Sequence, residues 1–283
     1  DDVELGMPER TISYSSREAK VAELREGMSS VTITGKILSV GPKDITSRGE
    51  KKTIFTGILA DESGKVEFSA WSDFGLEQDE VIQIKNAYVR AWRGIPQLNI
   101  GDRSEVSRVD DDFDQDLDMD GSTVKAIGEL VAVGGGLDVT VVGSVVDLRA
   151  GSGLIKRCPE CNRSVFNDEC ASHGRITPVQ DLRMKTVIDD GSGALTAIIN
   201  REITEALTGI TLDEAVEMAR DNLDSDAVSR KMEEMIIGRW VQVRGNVISD
   251  EYGLMLISRE ACMDELDVKS EAEKLLHELE VMM

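Results

Sequence analysis

Cys158-Pro159-Glu160-Cys161 is followed by Cys170-Ala171-Ser172-His173, a C-x2-C-x8-C-x2-H pattern. Two ligand pairs at this spacing can close a tetrahedron around Zn²⁺, because each pair reaches the metal from one tight turn. Three of the four cysteines fall in this 16-residue window, which makes chance a poor explanation. Four protein ligands leave no coordination position for water or substrate, so the expected metal is one structural zinc ion and not a catalytic one. Other chemistry finds little support. The chain has no G-x-x-x-x-G-K-[ST] phosphate loop. Its two histidines are His173, taken by the metal pattern, and His277 near the C-terminus. The reading is a binding protein, not an enzyme.

The cluster interrupts a β-rich pattern that occurs twice. Glu23-Leu24 and then Val31–Leu38 correspond to Glu129-Leu130 and then Val139–Val146. Asp61-Glu62-Ser63-Gly64 corresponds to Asp190-Gly191-Ser192-Gly193, each a turn between β-rich runs. Ile82–Val89 corresponds to Val241–Ile248. A repeat this long in the same order means a duplicated domain. The first copy predicts strands near 31–40, 53–61, 65–71, 81–90 and 97–99, with a short helical joint over 72–78. That order, five strands with a helix between the third and fourth, is that of an OB-fold barrel. In the second copy the cysteine cluster lies between the first two strands, and a longer helical segment, roughly 201–237, replaces the joint.

Composition bounds the rest. The 283 residues suggest about two domains. The net charge is -22, with 54 acidic against 32 basic side chains, yet 41% hydrophobic residues with clear β-alternation argue for folded domains. Such a surface is tolerated best where concentrated salt screens self-repulsion, which suggests a halophile. The basic residues are not spread evenly: 36–56 and 85–108 each carry a local +3. No apolar run approaches the ~20 residues of a membrane span, and no signal peptide is evident. Cys262 stands alone, expected as a buried thiol, so a disulfide framework is not expected and the compartment reads as reducing, hence cytoplasmic. The chain begins at Asp1 without Met, which reads as a fragment of something longer or as a chain shown without its leader. Seven of the eleven residues in 110–120 are Asp, an acidic linker. The organisation is then a first OB-fold with its lead-in (1–109), linker (110–120), second OB-fold with zinc finger (121–263) and an amphipathic helix (264–283).

The segments Thr56–Trp71 and Trp92–Gly101, with the zinc cluster inside an OB-fold, resemble the large subunit of replication protein A in its archaeal form. The likeness runs over essentially the whole chain. It implies sequence-independent single-stranded DNA binding in replication, repair and recombination, in association with the chromosome. It also implies a zinc-bearing C-terminal OB-fold and assembly with partner subunits through a following helix. In the first barrel the family places a stacking aromatic where Trp71 stands. The strand period agrees: Val66, Phe68 and Ala70 share one face, and Trp71 points the other way. The family's second aromatic falls near Leu98, a departure that makes Trp92, beside Arg93 at a hairpin tip, the substitute. Lys36 on the polar face of the first strand, with Arg48, Lys51 and Lys52 in the following loop, would meet phosphates. Phe55 reads as core; Phe74 fits either role.

The second copy is poorer in aromatics. Asn200 stands at the counterpart of Trp71, Trp240 reads as core, and Tyr252 is the best stacking candidate. The first fold is therefore expected to carry most of the affinity. Along 264–283, Ala272, Leu275, Leu276, Leu279 and Met282 form one apolar stripe. It packs on its own domain or serves partner or self-association; both readings stay open. The alternative function is an OB-fold and zinc-ribbon adaptor that binds protein partners or structured RNA. A weaker one is an accessory domain of a nuclease or synthetase.

Overall fold

The computed structural model describes residues 17–47, 49–109, 122–224, 226–251 and 253–264. The acidic run 110–120 and almost all of 264–283 lie outside the described residues, as do Arg48, Tyr252 and His277. The chain divides into two compact units: residues 1–91 with 97–119, and residues 92–96 with 120–283.

The first unit is built on five strands: β1 (Val31–Ser47), β2 (Glu50–Asp61), β3 (Gly64–Ala70), β4 (Val81–Trp92) and β5 (Ile95–Ile100). β1 pairs β2, β2 pairs β3, β3 pairs β5 in parallel, β5 pairs β4, and β4 returns to β1. The ring is closed, with order 1-2-3-5-4-1, the Greek-key path of an OB-fold. One strand serves two neighbours. The first half of β1 lies on β4 (Ile33 against Ile84), and its second half on β2 (Lys43 against Ile54). The handover is at Gly35, where a Cβ would sit 2.7 Å from the Ala60 carbonyl oxygen, so only glycine lets the strands turn the corner. Alternation then fills the barrel: Ile33, Ile37, Leu59, Val66, Phe68, Ile82, Ile84 and Leu98 are all buried in one core. The phase on β4 slips between Ile84 and Ala87, both buried, because Asn86 between them takes φ 58°. Its side chain accepts from Ser30 Oγ and donates to the Arg103 carbonyl, which holds the bulge.

The second unit repeats the path with β6 (Gly136–Leu148), β7 (Val179–Asp189), β8 (Ala194–Ile199), β9 (Trp240–Asp250) and β10 (Gly253–Met263). Pairings β6–β7, β7–β8, parallel β8–β10, β10–β9 and β9–β6 close an equivalent ring. Gly143 repeats the corner of Gly35, 2.6 Å from the Asp189 carbonyl oxygen for a built Cβ. The shared sequence pattern also explains the leading helices. α1 (Ile127–Val133) begins at Ala126, and the short 3-10 helix Val21–Glu23 begins at Lys20, neither with a side-chain cap of its own type. The turns supply the cap. Asp61 accepts from Val21 N at 2.8 Å and Asp190 from Ile127 N at 2.7 Å. Ser63 and Ser192 accept from the next amides, Ala22 N and Gly128 N, each at 2.9 Å. The D-x-S-G repeat is thus a clamp that ties each lead-in to its barrel and satisfies N–H groups that a helix start leaves open.

Several expectations change. The joint over 72–78 is a loop, not a helix. Asp73 accepts from Gly75 N at 2.8 Å, and this side-chain turn, with Gly75 at φ 60°, competes with helix formation. In the second unit the joint is helical: α2 (Arg201–Thr208), α3 (Leu212–Asp221) and α4 (Ala227–Ile236). Ile203, Ala215, Val228, Met232 and Ile236 from these helices enter the second core. The segment between the first two strands is no loop either. β1 and β2 continue as a ladder to the pair Ser47–Glu50, so Lys51 and Lys52 stand on strand β2. Cys262 is exposed, because β10 ends with Ala261 turned inward and Cys262 outward.

Candidate nucleic-acid interface and metal centre

The outward face of the first barrel is set by register. Phe55 lies opposite Ala70, so one step on, Trp71 falls beside Ile54 on the outside, two residues from Lys52. Ser69 lies beside Asn99 and Glu67 beside Gln97 on the same face. Four contacts order this surface. Trp71 Nε1 donates to Asn99 Oδ1 at 3.1 Å, and Asn99 in turn donates to the Gln97 carbonyl at 3.2 Å. Gln97 donates to Glu67 at 2.7 Å. The Lys52 ammonium stands 5.8 Å from the centre of the Trp71 ring, a cation–π pairing. Trp71 is half-buried: one end of the indole is pinned by a buried asparagine, and the ring meets an exposed lysine. A ring held this way can stack with a flat partner without having to order itself first.

The other expected contacts fall in three places. Lys51 and Lys52 are exposed on β2. Trp92 is 65% exposed and precedes Arg93 and Gly94, whose positive φ values, 52° and 81°, make a tight hairpin tip. Arg93 is exposed at that tip. Lys36 requires correction: it is only 8% exposed, and its ammonium lies 3.9 Å from Asp79. The strand turns the barrel corner at this point, so its polar face is covered and not open. Leu98 is fully buried in the core, Phe68 likewise, and Phe55 and Phe74 pack against that core partly buried. Trp240 is half-buried. Asn99, which orients Trp71, was not anticipated; the signal was its alternation with Gln97 against Leu98 and Ile100 in Ile95–Ile100.

In the second unit Cys158, Cys161, Cys170 and His173 offer ligand atoms all within 4.8 Å of one another. Cys158 N donates to the Arg163 carbonyl and Asn162 N to the Cys158 carbonyl, which winds the first turn. Glu169–Cys170 and Gly174–Arg175 form a two-stranded hairpin that carries the other pair. Cys161 Sγ is 3.6 Å from Cys170 Sγ; His173 Nδ1 is 3.4 Å from Cys158 Sγ and 3.6 Å from Cys170 Sγ. A tetrahedron with metal–sulfur bonds of about 2.3 Å and metal–nitrogen bonds of about 2.0 Å has edges of roughly 3.8 and 3.5 Å, so the four atoms fit a metal ion. His173 Nε2 lies 3.5 Å from Glu160, the carboxylate that orients a ligating imidazole. The Ser172 N–H, working against burial and joined by the His173 N–H, lowers the Cys170 thiol to about 6. Cys158 also falls below its ordinary value: burial pushes it up, but the Cys161 and Glu160 amides outweigh it. Two thiols that ionise readily suit a cation.

A scan against models of known protein families finds no match. The chain has relatives among archaeal single-stranded DNA-binding and replication factor A proteins. A single-stranded DNA-binding protein Ssb from Saccharolobus solfataricus is 30% identical over 98 residues, 34% of this chain and 66% of that one. A replication factor A from Methanothermobacter thermautotrophicus is 24% identical over 87% of this chain and 34% of its own length. The chain thus spans less than two thirds of either relative. Among solved structures, a replication protein A heterotrimer bound to single-stranded DNA matches 95% of this chain and 73% of that one, at 14% identity and a TM-score of 0.41. An OB domain from Thermoplasma acidophilum matches 36% of this chain and 94% of that one, at 24% identity and a TM-score of 0.32.

Proposed function

We propose that this protein binds single-stranded DNA without sequence preference, in replication, repair and recombination on the chromosome, and that the outer face of its first barrel is the main site. The observation that carries this reading is Trp71, pinned by Asn99 and covered by Lys52. Every base has a π-face, so a pre-oriented indole is a sequence-tolerant platform. An arriving base displaces the Lys52 ammonium from the ring, and the freed cation turns to the adjacent phosphate. Lys51 on β2 and Arg93 beside Trp92 add positive charge at exposed positions. The relatives named above support the same reading. The role is binding and not catalysis.

The metal is read as one zinc ion with a structural role. Three cysteines and an imidazole are a borderline-soft donor set, and four ligands leave the ion no open position. Bound, zinc supplies a fixed cross-link: it holds the two turns together and contributes no chemistry to the strand. Among the described residues no helix is long and apolar enough to cross a membrane. Assembly with a partner subunit, or self-association, is assigned to residues 264–283 on the apolar stripe of their sequence.

The test is a titration of intrinsic tryptophan fluorescence with oligo-dT at low and molar salt, for wild type, Trp71→Ala and Lys51→Ala. Stacking is worth about 1–3 kcal/mol per base, whereas phosphate contacts weaken steeply with salt. At molar salt Trp71→Ala therefore costs about tenfold in affinity and Lys51→Ala much less. Absence of quenching by oligo-dT in the wild type, or the reverse order of the two variants, overturns the reading.

A further inference from the structure

The second barrel has Asn200 where the first has Trp71. Where the first barrel's outer face sets Ile54 beside Trp71, the second barrel's register runs Met184 against Ile199 and so sets Arg183 beside Asn200. Asn200 is committed as the cap of α2, accepting from Ile203 N at 3.0 Å. Lys185, opposite Ile198, continues the same outward row. Among the described residues, this row holds two cations, Arg183 and Lys185, and no ring.

The ring comes from the metal-bearing insertion. Strand Gly153–Arg157 extends the sheet beyond β7, with Arg157 opposite Val179 and Gly153 opposite Arg183. Ser164 pairs Arg157 across the next edge, and Val165 N donates to the Lys156 carbonyl at 2.9 Å, which carries the ladder one step on. Side chains alternate, so Phe166 lies on the same side as Ser164, Arg157 and Arg183. Two strand spacings across and two residues along put it on the order of 12 Å from Arg183. Phe166 is 83% exposed. It is also fixed: Asn167 and Asp168 both take positive φ, 53° and 56°, and Glu169 N returns to the Phe166 carbonyl at 3.2 Å in a tight turn. A large ring held in water at the end of a rigid hairpin has no role in any core of this unit.

The cations beside it are poorly neutralised. Arg183 gives its Nε–H to the Gly151 carbonyl, not to a carboxylate. Burial first and the neighbouring Arg157 second hold its pKa below the ordinary value, against the pull of Asp181. Burial and then Arg183 do the same to Lys185. Asp181 is occupied by Arg157 and lies 3.9 Å from Arg201. In a chain of net charge -22, a row of cations that repel one another is an arrangement that an anion completes.

Resting on the reading of the protein as a single-strand binder, we infer that the metal-bearing insertion is itself a strand contact: Phe166 stacks a base while Arg183 and Lys185 take the neighbouring phosphates. The metal module then lengthens the second barrel's binding track with a ring beside those two cations.

The experiment uses the whole metal-loaded chain and two oligo-dT probes, one of about 8 nucleotides, enough for one barrel, and one of about 30, enough for both. Phe166→Ala leaves the short probe's affinity unchanged and weakens the long probe about tenfold, and Arg183→Gln with Lys185→Gln flattens the salt dependence of the long probe. Phe166 is exposed, so its removal does not unfold the unit; unchanged metal content and thermal melting verify this. As a second readout, Phe166→Trp in a Trp71→Ala background adds an emission that the long probe quenches. If wild type binds both probes, and Phe166→Ala binds the long one as tightly while the new tryptophan is not quenched, this inference fails and the first-barrel site stands. If wild type binds neither probe, the function reading fails and takes this inference with it.

Discussion

Replacing Asp190 by alanine removes four hydrogen bonds from one carboxylate. Ile127 N at 2.7 Å, Ser192 N at 2.9 Å, Ser192 Oγ at 2.7 Å and Gly193 N at 3.1 Å all donate to it. The two Ser192 donors are exposed and turn to water at little cost, and Gly193 N is only partly buried. The Ile127 amide starts α1 over a buried side chain, and losing such a cap costs about 1 kcal/mol, more when the acceptor is charged. The expected loss is about 2 kcal/mol, which lowers the melting temperature of a unit this size by roughly 4–8 °C. Burial opposes ionisation of Asp190, but the Ile127 amide and the Ser192 and Gly193 donors outweigh it, and its pKa lies below the ordinary value. The sign follows. A carboxylate depressed in the fold stabilises fully above the unfolded-state pKa of about 4, and that contribution disappears as pH falls through the lower folded value. The gap between wild type and Asp190→Ala, measured by calorimetry, is therefore widest near neutrality and closes in acid. A loss under about 0.5 kcal/mol at pH 7, the range of an ordinary surface change, or a gap that widens in acid, would refute the clamp.

Two further outcomes are expected. A strong chelator should unfold the region around Cys158–Arg175 and lower the second unit's melting temperature, with oligo-dT quenching at Trp71 kept; loss of Trp71 quenching on chelation would count against separate sites. Melting in molar KCl should occur at a higher temperature than in low salt, because screening relieves repulsion in a chain of net charge -22, and equal melting would remove the high-salt reading.

Much of the fold could be read before any coordinates. Gly35 and Gly143, and the Asp61 and Asp190 turns, recur because each barrel needs the same corner and the same clamp. Ligand spacing found the metal cluster, since knuckle turns are local. What escaped was non-local. Lys36 reads as polar-face on strand period alone, but burial there depends on how β1 bends between two neighbours. The ladder to Ser47 and Glu50 hid behind Gly41, Pro42 and Gly49, residues that normally mark a loop. The joint over 72–78 lost its helix to one aspartate side chain. Phe166 lies inside the metal-ligand spacing, where no strand pattern marks it, and its exposure is set by a register no local window contains.

The clamp also sets an order of events during synthesis. The Val21 amide waits 40 residues for Asp61, and the Ile127 amide waits 63 for Asp190. At roughly 5–20 residues per second, the second delay is several seconds, longer than helices and hairpins take to form. Each leading helix therefore leaves the ribosome uncapped and stays frayed until two further strands have followed it. The start of each unit thus locks only after its second ring strand has been made, and for those seconds a nascent chain offers its lead-in to whatever protease or chaperone waits at the tunnel exit.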